Sequence, residues 1–212
     1  MDEHPPEKPA EPKRSGKKGE RPQTRKKGPR KVTPTYLENA ALYYLERFAT
    51  SSANLRRVLM GKVTRSAYVH GTDPDEGAAM VDALIARYQG AGLLDDAAYA
   101  RMRTTSLHRA GQSLRSIRGK LMQKGVAAGL IDDALAALEA DEDTPDLDRA
   151  AAIRLARKRR LGPWRAPDKR EAKGEKWREK DMAALARAGF SYDIARAVID
   201  AEDPDELDED VF

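Results

Sequence analysis

Three stretches of this chain superpose: NLRRVLMGKV, SIRGKLMQKGV and KDMAALARAGF. In that alignment Leu59, Leu121 and Leu185 coincide, at offsets of 62 and 64 residues. Gly125 and Gly189 each close their helix and precede an apolar residue, Val126 or Phe190. A spacing this regular constrains the fold more than any other feature. It requires a supersecondary unit of fixed size, repeated along the chain, with neighbours covering one another's apolar faces.

The period within each unit is helical. In TYLENAALYYLERFA, residues Leu37, Ala41, Tyr44, Leu45 and Phe48 fall on one stripe. Thr33 or Thr35 caps its start, with Pro34 at a position that needs no N–H. TSSANLRRVLMGKV predicts a second helix, capped by Ser51 or Ser52, with Leu55, Val58 and Leu59 inward. TRSAYVHGTDPDEG reads as a loop or frayed helix end. AAMVDALIARYQGAG is a third helix, with Met80, Val81, Leu84, Ile85 and Tyr88 on its stripe and Gly90 or Gly92 ending it.

The trio recurs as LLDDAAYARMRTTSLHRA, SLRSIRGKLMQKG and AAGLIDDALAAL, and again as DLDRAAAIRLARKRR, REKDMAALARAG and SYDIARAVIDA. No alternating strand pattern or hairpin signal interrupts them. The fold class expected is all-α, with three tandem three-helix-bundle repeats in an elongated, curved arrangement, flanked by disordered tails. The expected divisions are a basic tail over 1–32, repeats over 33–92, 93–143 and 144–200, and an acidic tail over 201–212. Thin stacked units also account for a composition of 40% hydrophobic and 35% charged residues, which is polar for a compact globule.

Charge is segregated. Residues 1–31 carry eleven Lys/Arg against five Asp/Glu, and residues 101–124 carry seven basic residues and no acid. Residues 149–180 carry thirteen basic and four acidic residues, whereas the last twelve carry seven acids and no base. Basic blocks on a folded core point to a polyanion or an acidic protein surface as partner. The basic side chains that stand out are Arg56 and Arg57 in the first repeat. In the second they are Arg101, Arg103, Arg115, Arg118, Lys120 and Lys124, and in the third Arg154, Arg157, Lys158, Arg159 and Arg160. On successive units they would form a discontinuous basic track whose binding falls steeply with salt. Trp164 and Trp177 flank a polar loop; they either pack it onto the third unit or, if exposed, stack on bases or anchor a protein contact.

Catalytic and metal chemistry finds no footing. There is no cysteine, which removes disulfides, thiolate nucleophiles and CxxC zinc sites and suits a reducing cytoplasm. His4, His70 and His108 lie far apart, without HxxxH spacing. His108, late in a helix, is expected to add positive charge near its C-terminus. SGKKGE lacks the phosphate-loop pattern, so no nucleotide cofactor is expected. The adjacent Asp95 and Asp96 resemble a metal pair, yet helical spacing from them reaches Ala98, Tyr99, Ala100, Met102 and Arg103, not further oxygen ligands. They read instead as a helix N-cap and a first-turn carboxylate. No signal segment or membrane span is visible. The expectation is a cytoplasmic, monomeric, non-enzymatic protein with no cofactor and no metal.

One stretch carries a family signature. GLLDDAAYARMRTTSLHRAGQSLRSIRGKLMQKGV is similar to the central region of RecX proteins, in which a hydrophobic-Asp-Asp-x-x-Tyr/Phe-Ala helix start precedes a basic stretch ending in L-x-x-K-G-hydrophobic. Leu94, Asp95, Asp96, Tyr99, Ala100, Leu121, Lys124, Gly125 and Val126 match it. TSSANLRRVLMGKV resembles the family's first-unit segment, with Ala53–Asn54 where an acidic residue is usual. RKRRLGPWR and RAGFSYDIARAVI resemble longer alphaproteobacterial members. The resemblance covers about residues 35–200. It implies three tandem three-helix units and a non-enzymatic, mainly negative regulator of the RecA recombinase. Such a regulator lodges in the groove of the RecA–DNA filament and limits filament growth, ATP hydrolysis and strand exchange in DNA repair and the SOS response. The basic track would then meet acidic recombinase surface, or single-stranded or duplex DNA. The competing reading is a helical DNA-binding protein that acts independently of RecA.

Overall fold

The computed structural model describes residues 28–141, 146–168 and 176–208. Among them every regular element is helical. The first unit comprises α1 (Pro34–Leu45), α2 (Ser52–His70) and α3 (Pro74–Gly90). The second comprises α4 (Asp96–Arg109), α5 (Leu114–Gln123) and α6 (Ala128–Asp141). The third contains α7 (Leu147–Arg159), a 3-10 turn over Gly162–Trp164, α8 (Lys176–Arg187), α9 (Tyr192–Ile199) and the short α10 (Pro204–Asp208).

The helix starts follow capping chemistry. Thr33 Oγ1 accepts from the Tyr36 N–H at 3.2 Å, and Ser51 Oγ from the Asn54 N–H at 3.2 Å. Asp73, Asp95, Ser113, Asp146 and Ser191 cap α3, α4, α5, α7 and α9 in the same way. Each of these side chains satisfies a backbone donor that the helix itself leaves unpaired.

Each unit buries its own small core. Leu37, Leu55, Leu59, Val63, Val81 and Tyr88 anchor the first, and Tyr99, Ile117, Leu121, Ile131 and Leu135 the second. Ile153, Leu155, Leu185, Phe190, Val198 and Ile199 anchor the third. The three aligned leucines, Leu59, Leu121 and Leu185, are at most 1% exposed, each at the centre of its unit.

Several local expectations need correction. TRSAYVH is not a loop: α2 continues to His70 because Val63 and Ser66 are buried on its inner face. The helix ends only where Gly71 turns left-handed, with φ 64°. Phe48 lies beyond the end of α1 and is exposed; its ring sits 5.1 Å from that of Tyr44. Both flanks lend a short stretch to the fold. Val32 is buried and its N–H donates to Ser66 Oγ at 2.9 Å. Leu207 of α10 is 2% exposed in the third core. Residues 1–27 and 209–212 of the expected tails lie outside the described residues.

The units are joined by one arrangement used twice. At the first joint, Ser51 Oγ donates to the carbonyl of Lys124, while the Ser52 N–H donates to Asp96 Oδ1 at 2.7 Å. At the second, Ser113 Oγ donates to the carbonyl of Ala188 at 2.9 Å, and the Leu114 N–H donates to Asp148 Oδ1 at 2.7 Å. In each case the N-terminus of a unit's second helix docks on its successor. The cap serine reaches the end of the successor's second helix. The next amide meets a first-turn aspartate of the successor's first helix.

The glycines after those carbonyls make the approach possible. A Cβ on Gly125 would stand 2.5 Å from Ala53 Cβ, and one on Gly189 would stand 2.5 Å from Ser113 Oγ. Their φ values of 74° and 96° already favour glycine. The second joint is also packed laterally: α4 lies on α7, His108 is fully buried, and its Nε2 is 3.0 Å from the carbonyl oxygen of Leu147. His108 is therefore an interior strut between units rather than a surface charge.

Candidate functional site

Asp95 and Asp96 have separate tasks. Asp95 caps α4, accepting from the Ala98 N–H at 2.8 Å, and Asp96 receives the amide of the preceding unit. Among the described residues no group of His, Asp and Glu side chains is arranged to hold a metal ion. No described helix is long and apolar enough to cross a membrane.

The basic side chains divide into those already committed and those left open. Arg56 is paired in bidentate fashion with Asp82 across α2 and α3, at 2.6 and 3.0 Å. The hydrogen bonds and the charge of that pair raise the arginine pKa and lower that of the aspartate. Arg57 and Lys124 belong to the first joint. Arg57 donates to the Gln123 carbonyl at 3.1 Å, and both side chains reach Asn54 Oδ1, at 3.4 and 3.3 Å. Arg118 pairs with Asp132 on α6, and Lys120 donates to Gln112 Oε1. Arg103 is half-buried beside the Tyr99 hydroxyl. Burial raises the Tyr99 pKa, and the charge of Arg103 opposes the rise. Arg154 and Arg157 are already engaged by neighbours.

Arg101, Arg115, Lys158, Arg159 and Arg160 remain exposed, and none forms an ion pair among the described residues. They lie on α4, on α5 and at the end of α7. The open charge is thus concentrated in the second and third units, while in the first unit Arg56 pairs within the unit and Arg57 serves the joint to the second.

Two further features escaped sequence reasoning. The first is a groove of about 860 Å³ between the end of α1 and the start of α4. Leu42, Tyr43, Phe48, Leu93 and Met102 line it, and each is between 46% and 61% exposed. Exposed apolar side chains gathered in one place are the kind of surface that protein contacts use. Helical periodicity assigned Phe48 to the core and left Leu42, Tyr43 and Leu93 unplaced, so their convergence was invisible. The second is a cluster in the third unit. Asp181, 1% exposed, receives the Gly162 N–H at 3.0 Å and the guanidinium of Arg165. This fixes the turn that carries Trp164. Trp164 and Trp177 both pack partly against the third core.

Comparison with known proteins adds the decisive observation. The model of the family described as "RecX, second three-helix domain" matches residues 95–135. The regulatory protein RecX of Myxococcus xanthus is 48% identical over 177 residues, covering 82% of this chain and 90% of that protein. This chain belongs to the RecX family. The regulatory protein RecX of Agrobacterium fabrum is 36% identical over 169 residues, covering 78% of this chain and 82% of its own. A crystal structure of regulatory protein RecX superposes with a TM-score of 0.55 at 23% identity, over 79% of this chain and 72% of that one. A second, RecX from Lactobacillus salivarius, gives 0.52 at 21% identity, over 83% and 97%. Those structures share the fold, and the sequence relatives carry the family. The expectation of a regulatory rather than catalytic protein agrees with the relatives' names.

Proposed function

We propose that this RecX-family protein acts in the cytoplasm as a monomeric, mainly negative regulator of the RecA recombinase. In this reading it binds in the groove of the RecA–DNA filament and limits filament growth, ATP hydrolysis and strand exchange. The observation that carries the reading is the 48% identity to a RecX regulator across most of both chains. The surface supports it in two ways. The exposed, unpaired cations of the second and third units suit the charge of DNA or of an acidic protein face. The apolar groove between the first two units suits a protein contact, which a purely electrostatic DNA binder does not need. Several weak contacts spread along linked units add multivalently, which favours a partner that is itself a repeating filament.

The test is RecA ATPase activity on single-stranded DNA with sub-stoichiometric protein, together with filament length. Inhibition is expected. A charge reversal of Arg101 and Arg115 to Glu weakens it at unchanged helicity. An unaltered ATPase rate and filament length would overturn the reading.

A further inference from the structure

We propose that the end of α7 and the turn after it form a subsite for one nucleotide of a single-stranded nucleic acid. In this subsite Trp164 stacks on the base while Arg159 and Arg160 meet the flanking phosphates. The inference deepens the proposed function by giving the regulator its own hold on the strand. It takes its setting from that reading, but its test contains no recombinase.

The cleft is a concavity of about 380 Å³ lined by Arg159, Arg160, Trp164, Arg165 and Ala166. That volume falls within the range of small-ligand sites. Its floor is rigid. Trp164 packs partly on the third core, and Arg165 is tied to the buried Asp181, which also holds the Gly162 amide. Asp181 neutralises Arg165, so Arg165 shapes the cleft without adding net charge. The net charge comes from Arg159 and Arg160, both exposed and without an ion pair among the described residues. An aromatic wall beside two free guanidiniums is the combination that binds a base and its phosphates together.

The backbone strengthens the argument. Arg160 has φ 54° and is the one non-glycine residue with positive φ among those described. It closes α7 as Gly111 closes α4: in each, the amide of the turn residue and that of its successor bond back to the helix end. At position 111 glycine is obligatory, because a Cβ would stand 3.0 Å from both Leu155 Cβ and the Leu155 nitrogen in the next unit. At position 160 the turn residue is arginine, and its side chain is exposed. Glycine would still be the relaxed choice for this backbone. An arginine held there against the local preference places a charge at the rim of the cleft. A single strand fits better than a duplex, whose bases are already stacked and offer no face to an indole.

The experiment measures fluorescence anisotropy of an end-labelled oligothymidylate against the full chain over a salt series. A matched abasic strand serves as the second probe. Arg160→Gly is expected to weaken binding several-fold while raising the thermal midpoint, since it relaxes the turn; it therefore cannot fail merely by unfolding. Arg159→Ala with Arg160→Gly weakens binding at least tenfold and makes the log–log salt slope shallower by about 1.4. Trp164→Leu weakens it about tenfold and leaves the slope unchanged. The abasic strand binds wild type about as weakly as the oligothymidylate binds Trp164→Leu. Equal binding of abasic and thymidylate strands, or unchanged binding by the arginine double variant, would overturn the proposal. Displacement of the strand by poly-glutamate together with equal abasic binding would assign the cleft to an acidic protein face instead. Failure here leaves RecA inhibition standing, and loss of RecA inhibition leaves this measurement untouched.

Discussion

Replacing Asp96 with alanine tests the joint directly. In the folded chain the Ser52 N–H has one acceptor, Asp96 Oδ1 at 2.7 Å, and Ser52 is only 6% exposed. Removing the carboxylate leaves a buried donor unpaired, at about 1–3 kcal/mol. Loss of first-turn negative charge adds about 0.3–1 kcal/mol. A destabilisation of roughly 2–3 kcal/mol follows, equivalent to a urea midpoint lower by about 1 M. The effect is local to the first two units, so far-UV circular dichroism registers it more strongly than tryptophan fluorescence, because Trp164 and Trp177 both sit in the third unit.

A second substitution isolates the bond. Ser52 is the first residue of α2, and Ser51 has φ −77° and ψ 157°, the extended geometry that a following proline requires. Ser52→Pro removes the amide hydrogen itself and sets a ring carbon against Asp96. The double variant Asp96→Ala, Ser52→Pro has neither an orphaned donor nor that clash. It is expected to be more stable than Ser52→Pro alone, with non-additivity above about 1 kcal/mol. Strict additivity, or an Asp96→Ala chain within about 0.5 kcal/mol of wild type, would refute the reasoning.

The second joint gives two further expectations. Gly189→Ala forces φ 96° on an L-residue and drives its Cβ into Ser113 Oγ, breaking the bond to Ala188. A loss of roughly 2–3 kcal/mol in urea unfolding is expected. At Asp148, burial raises the carboxyl pKa, the bond from Leu114 and the charge of His108 oppose the rise, and Asp146 adds to it. A carboxyl with a raised folded pKa binds its proton more tightly when folded, so its contribution to stability declines as pH rises from the ordinary carboxylate range through the folded value. Asp148→Asn keeps an acceptor for the Leu114 amide and removes that decline. It is expected to gain on wild type between pH 4 and pH 7, whereas Asp148→Ala loses about 1–3 kcal/mol at both. Urea midpoints at the two pH values decide the matter.

Helix periods, caps and the repeated leucine were legible because each depends on residues within one turn of one another. The Asp-Asp pair was readable as a cap for the same reason. What it also does, receiving an amide 44 positions earlier, depends on how units dock, and no local pattern encodes that. Gly125 and Gly189 were visible as helix terminators, but the space they clear for the preceding unit was not. The basic track was a sum over sequence. The fold divides it, because Asp82, Asp132 and Asn54 reach across helices to occupy cations that look free on paper. Arg160 shows the reverse: an ordinary member of a basic run in sequence, it is the strained residue of its turn in space.

The joints also work as a ruler. At each, short side chains of one unit grip the main chain of another, and at the first Arg57 and Lys124 reach across as well. The angle from unit to unit therefore rests chiefly on contacts between helix ends. The spacing of the open cations of the second and third units inherits that angle. A change at Ser113 or Gly189 would then misplace charges that remain chemically intact, and a partner with a fixed repeat would register the error although every contact residue was still present.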